Sequence, residues 1–171
     1  MAIRITYYGP IKIDRKKNEH GGYDLRAIRE KMVDRIPKSA AKHSGVYIYF
    51  HRKGKGKLEA CYIGSNTTDN LFSEAFSKTD FLSNKFLPQF GKPFLLFLIC
   101  KKPKGMPDDS FKKALNKLET FLIRDFSLKG HHLSNRNKLP RPQRFDFVLN
   151  GKSRATATFK KLANRRLLLH V

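Results

Sequence analysis

The sequence predicts an α+β fold in which a small central antiparallel sheet is flanked by helices. Two observations support this: several short segments are rich in β-branched and aromatic residues, and apolar residues recur at helical spacing between them. From residue 44 to 128 the predicted order is strand, strand, helix, strand, helix, which is typical of a layered α+β domain. A chain of 171 residues is long enough to bury one core.

The N-terminal segment predicts one strand and one short helix. Residues 3–8 alternate between apolar and polar side chains until the Gly9-Pro10 step ends the pattern. Asp24 is the expected N-cap of an amphipathic helix that stops before Pro37. The apolar positions of that helix are Leu25, Ile28, Met32 and Ile36.

The next two strands form a predicted hairpin, GVYIYFHRKGKGKLEACYIG, from Gly45 to Gly64. Both arms, SGVYIYF and EACYIGS, carry the β-branched and aromatic residues that favour strands. The loop between them contains the glycines that a tight turn requires. We therefore expect an antiparallel pair with a cationic tip.

A helix and a strand follow the hairpin. The segment TTDNLFSEAFSKTDF offers Thr67, Thr68 or Asp69 as an N-cap. Its apolar face is expected to contain Leu71, Phe72, Ala75 and Phe76. The run PFLLFLIC, residues 93–100, is continuously apolar and predicts a buried central strand.

The clearest helix in the chain covers residues 110–130 and is capped within residues 108–110. Its apolar stripe consists of Phe111, Leu115, Leu118, Leu122 and Phe126. From residue 134 onward the chain becomes basic and proline-rich. There we expect a short strand at residues 144–149 and a basic amphipathic helix at residues 153–169.

Charge and cysteine content narrow the classes of function. The chain carries 36 Lys+Arg against 14 Asp+Glu, a formal net charge of +22, which favours a polyanionic partner, nucleic acid first. No apolar run reaches the length of a membrane span, so we expect no membrane partner and a cytoplasmic protein. Cys61 and Cys100 lie in strand-like segments and are expected to be buried thiols.

The motifs Gly45-Val46-Tyr47 and Tyr62-Ile63-Gly64 on the two hairpin strands, followed by helix, strand and helix, resemble the GIY-YIG nuclease domain. In the strong helix, KLETFLI resembles the family segment that carries a metal-binding glutamate, which would be Glu119. The family asparagine matches Asn135 best, with Asn137 as the alternative. The resemblance covers residues 44 to 137.

The resemblance implies hydrolysis of phosphodiester bonds. Tyr47 would handle the attacking water, and Tyr62 would bind the phosphate region or assist. Gly64 would give the backbone room to approach. Glu119 would hold one hydrated Mg²⁺ (or Mn²⁺), and the phenol of Tyr47 would need a pKa lowered by nearby cations and the metal. The preference for DNA over RNA rests on the family resemblance alone. One such site cuts one strand, so a double-strand break would require a dimer or two successive events.

One family feature differs in this chain. The family places a phosphate-binding arginine on the helix after its second motif, and the nearest alignment puts Glu74 there. Lys78, one helical turn later, could supply a cation to the same site, although an ammonium lacks the bidentate geometry of a guanidinium. Lys78 is therefore the third predicted catalytic residue, beside Tyr47 and Tyr62.

The remaining predicted nucleic-acid contacts are basic side chains of the hairpin tip and the C-terminal segment. They are Lys53, Lys55, Lys57, Arg136, Arg141, Arg144, Lys160, Lys161 and Arg165. The predicted organisation is an N-terminal extension (residues 1–43), a GIY-YIG-like core (44–137) and a basic C-terminal extension (138–171), packed as one unit. Two alternatives to a restriction, repair, mobile-element or phage endonuclease remain: a degenerate GIY-YIG domain that binds without cutting, and a basic structural nucleoprotein.

Overall fold

The computed structural model describes residues 3–36, 42–52, 54–68, 70–89, 91–135 and 147–150. The strands are β1 Ile3–Lys12, β2 Gly45–Arg52, β3 Leu58–Asn66, β4 Lys92–Lys101 and β5 Phe147–Asn150. The helices are α1 Leu25–Val33, α2 Leu71–Ser77 and α3 Asp108–Leu128, and a π-helical turn covers Phe81–Phe86.

The five strands form a single sheet in the order β3-β2-β4-β1-β5. β2 pairs antiparallel with both β3 and β4, and β4 pairs antiparallel with β1. Among these five strands, β5 alone pairs in parallel, with β1. The predicted α+β class, with an antiparallel sheet flanked by helices, is therefore confirmed, and β3 lies at an edge of the sheet.

The sheet separates two hydrophobic cores. Successive residues of a strand point to opposite faces, so Val46 and Ile48 enter the core under α3, whereas Tyr47 and Tyr49 enter the core under α1 and α2. β4 contributes to both cores because it is covered on both faces, as its continuous apolar sequence predicts. The predicted motif tyrosine on β2, Tyr47, is thus buried on the α2 side.

The strand β1 is longer than predicted. It continues through Gly9-Pro10 to Lys12, with a shift in its register against β4 between Tyr8 and Ile11. A bulge of this kind absorbs residues that cannot follow the regular ladder, so the proline interrupts the pairing without ending the strand. The N-terminal segment consequently contributes an inner strand to the same sheet as the motif hairpin.

The helix boundaries differ slightly from prediction. Asp24 caps α1 as expected, its side chain accepting a hydrogen bond from the Ala27 amide at 2.9 Å. The cap of α2 is Asn70, whose side chain accepts from the Ser73 amide, rather than Thr67, Thr68 or Asp69. The π-helical turn was not predicted, since its apolar residues follow no ordinary period. The apolar faces predicted for α2 and α3 are buried.

Both cysteines are free and buried, as predicted. Burial alone raises the pKa of the Cys100 thiol to about 12. No helix in the described part of the chain has the length and apolar character needed to cross a bilayer. The predicted C-terminal helix lies outside the described residues.

Candidate active site at the edge of strand β3

The two tripeptide motifs face each other across the hairpin. Tyr47 pairs with Gly64, and a Cβ atom on Gly64 would lie 2.4 Å from both Cζ and Oη of Tyr47. Gly45 is constrained in the same way, because a Cβ there would lie 2.1 Å from the carbonyl oxygen of Leu98 on β4. The space above Gly64 is therefore filled by the tyrosine ring, rather than left open for the approach of a phosphate as expected.

Tyr62 packs near two other aromatic rings. Its ring is nearly parallel to that of Tyr47, with centroids 6.1 Å apart and an angle of 19° between the ring planes. The centroid of the Phe81 ring lies 4.7 Å from that of Tyr62. Tyr47 is 1% exposed, whereas Tyr62 is only half-buried, so Tyr62 is the phenol that reaches solvent.

The environment of Tyr47 overturns one expectation about its chemistry. Burial raises the pKa of Tyr47 far above its ordinary value, and the neighbouring Tyr62, Tyr49 and Glu74 raise it further. The expected lowering by nearby cations does not occur, because the ring is enclosed by the core and its charged neighbour is a carboxylate. Tyr47 is therefore a neutral phenol across the physiological range.

Glu119 reaches the edge strand from the other face of the sheet. Its side chain is buried among the apolar residues of α3, and its Oε2 accepts a hydrogen bond of 2.5 Å from the Ser65 hydroxyl. Ser65 directly follows Gly64 and so points to the α3 side. The ring of Tyr47 and the carboxylate of Glu119 consequently lie on opposite faces of the sheet, and a shared substrate would have to reach both around the edge strand β3.

Lys78, at the end of α2, is paired with a carboxylate of the same helix. Its Nζ lies 2.8 Å from Oε1 of Glu74, in an ion pair spaced i, i+4. Hydrogen bonding to Glu74 raises the pKa of Lys78, and the charges of Glu74, Tyr62 and Glu119 raise it further, against the opposing effect of burial. The predicted cation lines one pocket with Tyr62, but it is already paired with Glu74, the residue that the resemblance aligns with the family arginine.

Asn135 binds the backbone of β3 at this edge. Its Oδ1 accepts a hydrogen bond from the Ile63 amide at 3.5 Å, and its Nδ2 donates to the Ile63 carbonyl. The preceding Ser134 donates from both its amide and its hydroxyl to the carbonyl of Cys61, at 2.8 and 2.7 Å. The side chain of Asn135 therefore holds the loop after α3 on the edge strand, instead of extending to a phosphate.

A carboxylate at this edge, that of Glu119, is of the type that a hydrated Mg²⁺ ion would use. No group of three or more His, Cys, Asp or Glu side chains converges within the described ranges. Magnesium retains several waters and binds proteins through one or two carboxylates, so Glu119, hydrogen-bonded by Ser65, is the residue that would hold it.

The other predicted contacts divide into two groups. Lys55 and Lys57 are exposed at the hairpin tip, and their contact with a phosphate backbone stays a prediction. The remaining basic residues lie outside the described residues: Lys53, Arg136, Arg141, Arg144, Lys160, Lys161 and Arg165.

Sequence reasoning missed three residues of this edge: Ser65, Ser134 and Phe81. Ser65 and Ser134 each stand next to a motif residue in the chain, which is the only signal that could have indicated them. Phe81 gives no such signal, because its place beside Tyr62 depends on the π-helical turn.

Comparison of the chain with protein-family profiles, with curated proteins and with solved structures finds no significant match.

Proposed function

We propose that the protein is a metal-dependent endonuclease of the GIY-YIG type that hydrolyses phosphodiester bonds in nucleic acid, DNA before RNA. The observation that carries the proposal lies at the edge strand β3: Tyr62 and Lys78 line one surface pocket, and Glu119 accepts a hydrogen bond from Ser65 of the same strand. Side chains of α2, β3 and α3 thus meet at this strand, with Glu119 on its opposite face. The net charge of +22 supports a polyanionic substrate.

The reaction joins the oxygen of a water molecule to phosphorus, breaks one bond between phosphorus and a sugar oxygen, and returns a proton to the departing oxygen. Tyr62, the solvent-reaching phenol, donates a hydrogen bond to a phosphate oxygen, and Lys78 supplies positive charge beside it. When bound at Glu119, Mg²⁺ would stabilise charge on the phosphate and lower the pKa of a coordinated water.

Tyr47 acts in this proposal as a neutral hydrogen-bonding group and not as a phenolate base, because burial raises its pKa. Its hydroxyl orients the water or the hydroxyl of Tyr62. Glu74 is the carboxylate whose charge acts on Tyr47, and its ion pair with Lys78 fixes its position at 2.8 Å from the ammonium. Glu74 is the carboxylate that would accept the proton that the water loses.

The test is incubation of the purified protein with supercoiled plasmid and Mg²⁺ or Mn²⁺, followed by gel analysis of nicking. We expect the wild type to nick, Glu119→Gln and Tyr62→Phe to lose activity at least about a hundred-fold, and Glu30→Gln and Tyr23→Phe to retain it. Glu30 and Tyr23 are matched controls on α1 and the loop before it. Equal nicking by Glu119→Gln and the wild type would reject the proposed site.

A second candidate is a GIY-YIG-like domain that binds nucleic acid without cutting it. The observation in its favour is Glu74, which stands where the family has its arginine and which engages Lys78. In that case the wild type and Glu119→Gln would shift DNA equally in gels, and neither would nick. Glu74→Arg would then be the informative variant, since it restores a guanidinium and removes the carboxylate.

A further inference from the structure

A pocket of about 400 Å³ opens beside Tyr62 and Lys78 on the α2 side of the edge strand. The end of α2, the π-helical turn and the loop after α3 form its walls. Ligand pockets in proteins range from about 300 to 1,000 Å³, so this one suits a single small group and excludes a segment of duplex. It lies next to the proposed site because Tyr62 and Lys78 belong to both.

Two aromatic side chains form the apolar part of the pocket. Tyr62 and Phe81 are half-buried, with ring centroids 4.7 Å apart. Each is supported from behind, Tyr62 by Tyr47 at 6.1 Å and Phe81 by Phe86 at 5.7 Å. Rings fixed by such neighbours offer a preformed contact for a planar apolar group, at little cost in side-chain entropy.

The charged groups of the pocket are balanced. Lys78 and Lys85 line it, but so does Asp80, and Lys78 is paired with Glu74. In a chain with a net charge of +22 this is a locally neutral surface. A neutral heterocycle with polar edges would therefore meet no uncompensated charge in the pocket.

The hydroxyl groups around the pocket present acceptors. Ser77 Oγ donates to the Glu74 carbonyl at 2.8 Å, and Ser134 Oγ donates to the Cys61 carbonyl at 2.7 Å. With their protons engaged, both oxygens retain lone pairs that can accept hydrogen bonds, and the exposed carboxylate of Asp80 adds a further acceptor. Such an edge matches a ligand that carries donors, for example the exocyclic amino group of cytosine or adenine.

We infer that this pocket receives one unpaired nucleobase of the substrate strand, and that it prefers a base bearing an exocyclic amino group. The inference rests on the proposed function, because it places this base beside the phosphate that would be cut. A base in a duplex would have to leave the stack to enter, so the preferred substrate is single-stranded or locally unpaired.

The test measures binding by fluorescence anisotropy in EDTA, with no cleavage. The probes are oligo(dC), oligo(dT) and a duplex, each of about 15 nucleotides, the upper range of single-strand site sizes. The variants are Asp80→Asn, Phe81→Leu and the control Asp109→Asn, an exposed carboxylate at the start of α3. Thermal unfolding of each variant verifies that it is folded.

We expect the wild type to bind oligo(dC) about five-fold or more tightly than oligo(dT), and Asp80→Asn to bring that ratio close to one. Asp109→Asn should keep the wild-type ratio, and Phe81→Leu should weaken binding to both single strands without changing binding to the duplex. A ratio near one in the wild type, or an unchanged ratio in Asp80→Asn, overturns the inference alone. Failure to bind any of the three probes rejects the proposed function as well.

Discussion

At the scale of single residues, the two glycines of the motifs are explained by contacts within the protein. Gly64 leaves room for the ring of Tyr47, and Gly45 leaves room for the β4 backbone at Leu98. The glycines of the motif are therefore explained by packing, because they allow two tyrosines to lie side by side. A chain could retain this arrangement for structure alone, which is why the nuclease proposal depends on the groups around it.

The first prediction concerns Gly64→Ala. The added methyl group would lie 2.4 Å from the Tyr47 hydroxyl oxygen, so the ring must move, and we expect a loss of about 1–3 kcal/mol in the free energy of unfolding. Urea denaturation measures this loss. Gly22→Ala is the control, because a Cβ there meets only the flexible side chain of Asn18, and its effect should stay within about 0.5 kcal/mol. Equal effects of the two substitutions would contradict this account of Gly64.

The second prediction concerns stability at high pH. Tyr47 remains protonated in the folded protein, while in the unfolded chain it ionises above its usual pKa of 10.0. Above pH 10 the unfolded state therefore binds fewer protons than the folded state. The contribution of the Tyr47 phenol to the free energy of unfolding is fully present below pH 10 and is lost as pH rises, by about 1.4 kcal/mol per pH unit. Burial also raises the pKa of Tyr49, so Tyr49 contributes to the same loss of stability at high pH.

Tyr47→Phe removes one of these two contributions. We expect the free energy of unfolding, measured in urea between about pH 8 and 11.5, to fall less steeply above pH 10 in this variant than in the wild type, by about 1.4 kcal/mol per pH unit. Cys100 is present in both chains, so its ionisation cancels in the difference. Parallel curves above pH 10 would show that Tyr47 is not protected from ionisation.

How far the site could be read from sequence depends on what each residue contributes. Tyr47, Tyr62 and Glu119 are indicated by an order and spacing that resemble a family pattern, and their role in a site stays a prediction. The protonation state of Tyr47 could not be predicted in this way, because it is set by burial and by Glu74, a residue distant in sequence. The role of Asn135 was likewise hidden, since only the folded chain brings it to the backbone of Ile63.

At the scale of secondary structure, the edge strand is the element on which the site depends. Ser65 of β3 donates a hydrogen bond to Glu119 of α3. Asn135 and Ser134, in the loop after α3, donate hydrogen bonds to the β3 backbone. An edge strand exposes unpaired backbone groups, and here the side chains of Ser134 and Asn135 form hydrogen bonds with some of them. The hairpin, α2 and α3 were predictable from hydrophobic period, whereas the π-helical turn follows no such period. The Asn70 cap agrees with local propensity, but three neighbouring residues offered the same signal.

The third prediction tests the link between β3 and α3. Ser65→Ala removes the hydroxyl that donates to the buried Glu119 carboxylate, and hydrogen bonds to charged groups contribute about 1.5–3 kcal/mol. We expect a loss of that size in urea denaturation, and a much smaller loss when the substitution is made in Glu119→Gln. Ser110→Ala, at an exposed position of α3, is the control. Additive losses in the double variant would mean that the two side chains do not interact.

At the scale of the whole molecule, the net charge of +22 predicts that affinity for DNA falls steeply with salt. Each phosphate contact that a variant loses reduces the slope of log K against log salt by about 0.9. Replacing Lys160, Lys161 and Arg165 by Gln should therefore reduce the slope by about 2.7 if all three bind phosphates. The matched control replaces Lys31, Lys104 and Lys113, which are exposed elsewhere and carry the same total charge. Binding isotherms between about 50 and 300 mM salt measure both slopes. A localised C-terminal binding surface requires the first triple to change the slope more than the second; equal changes would assign affinity to the overall field of the protein instead.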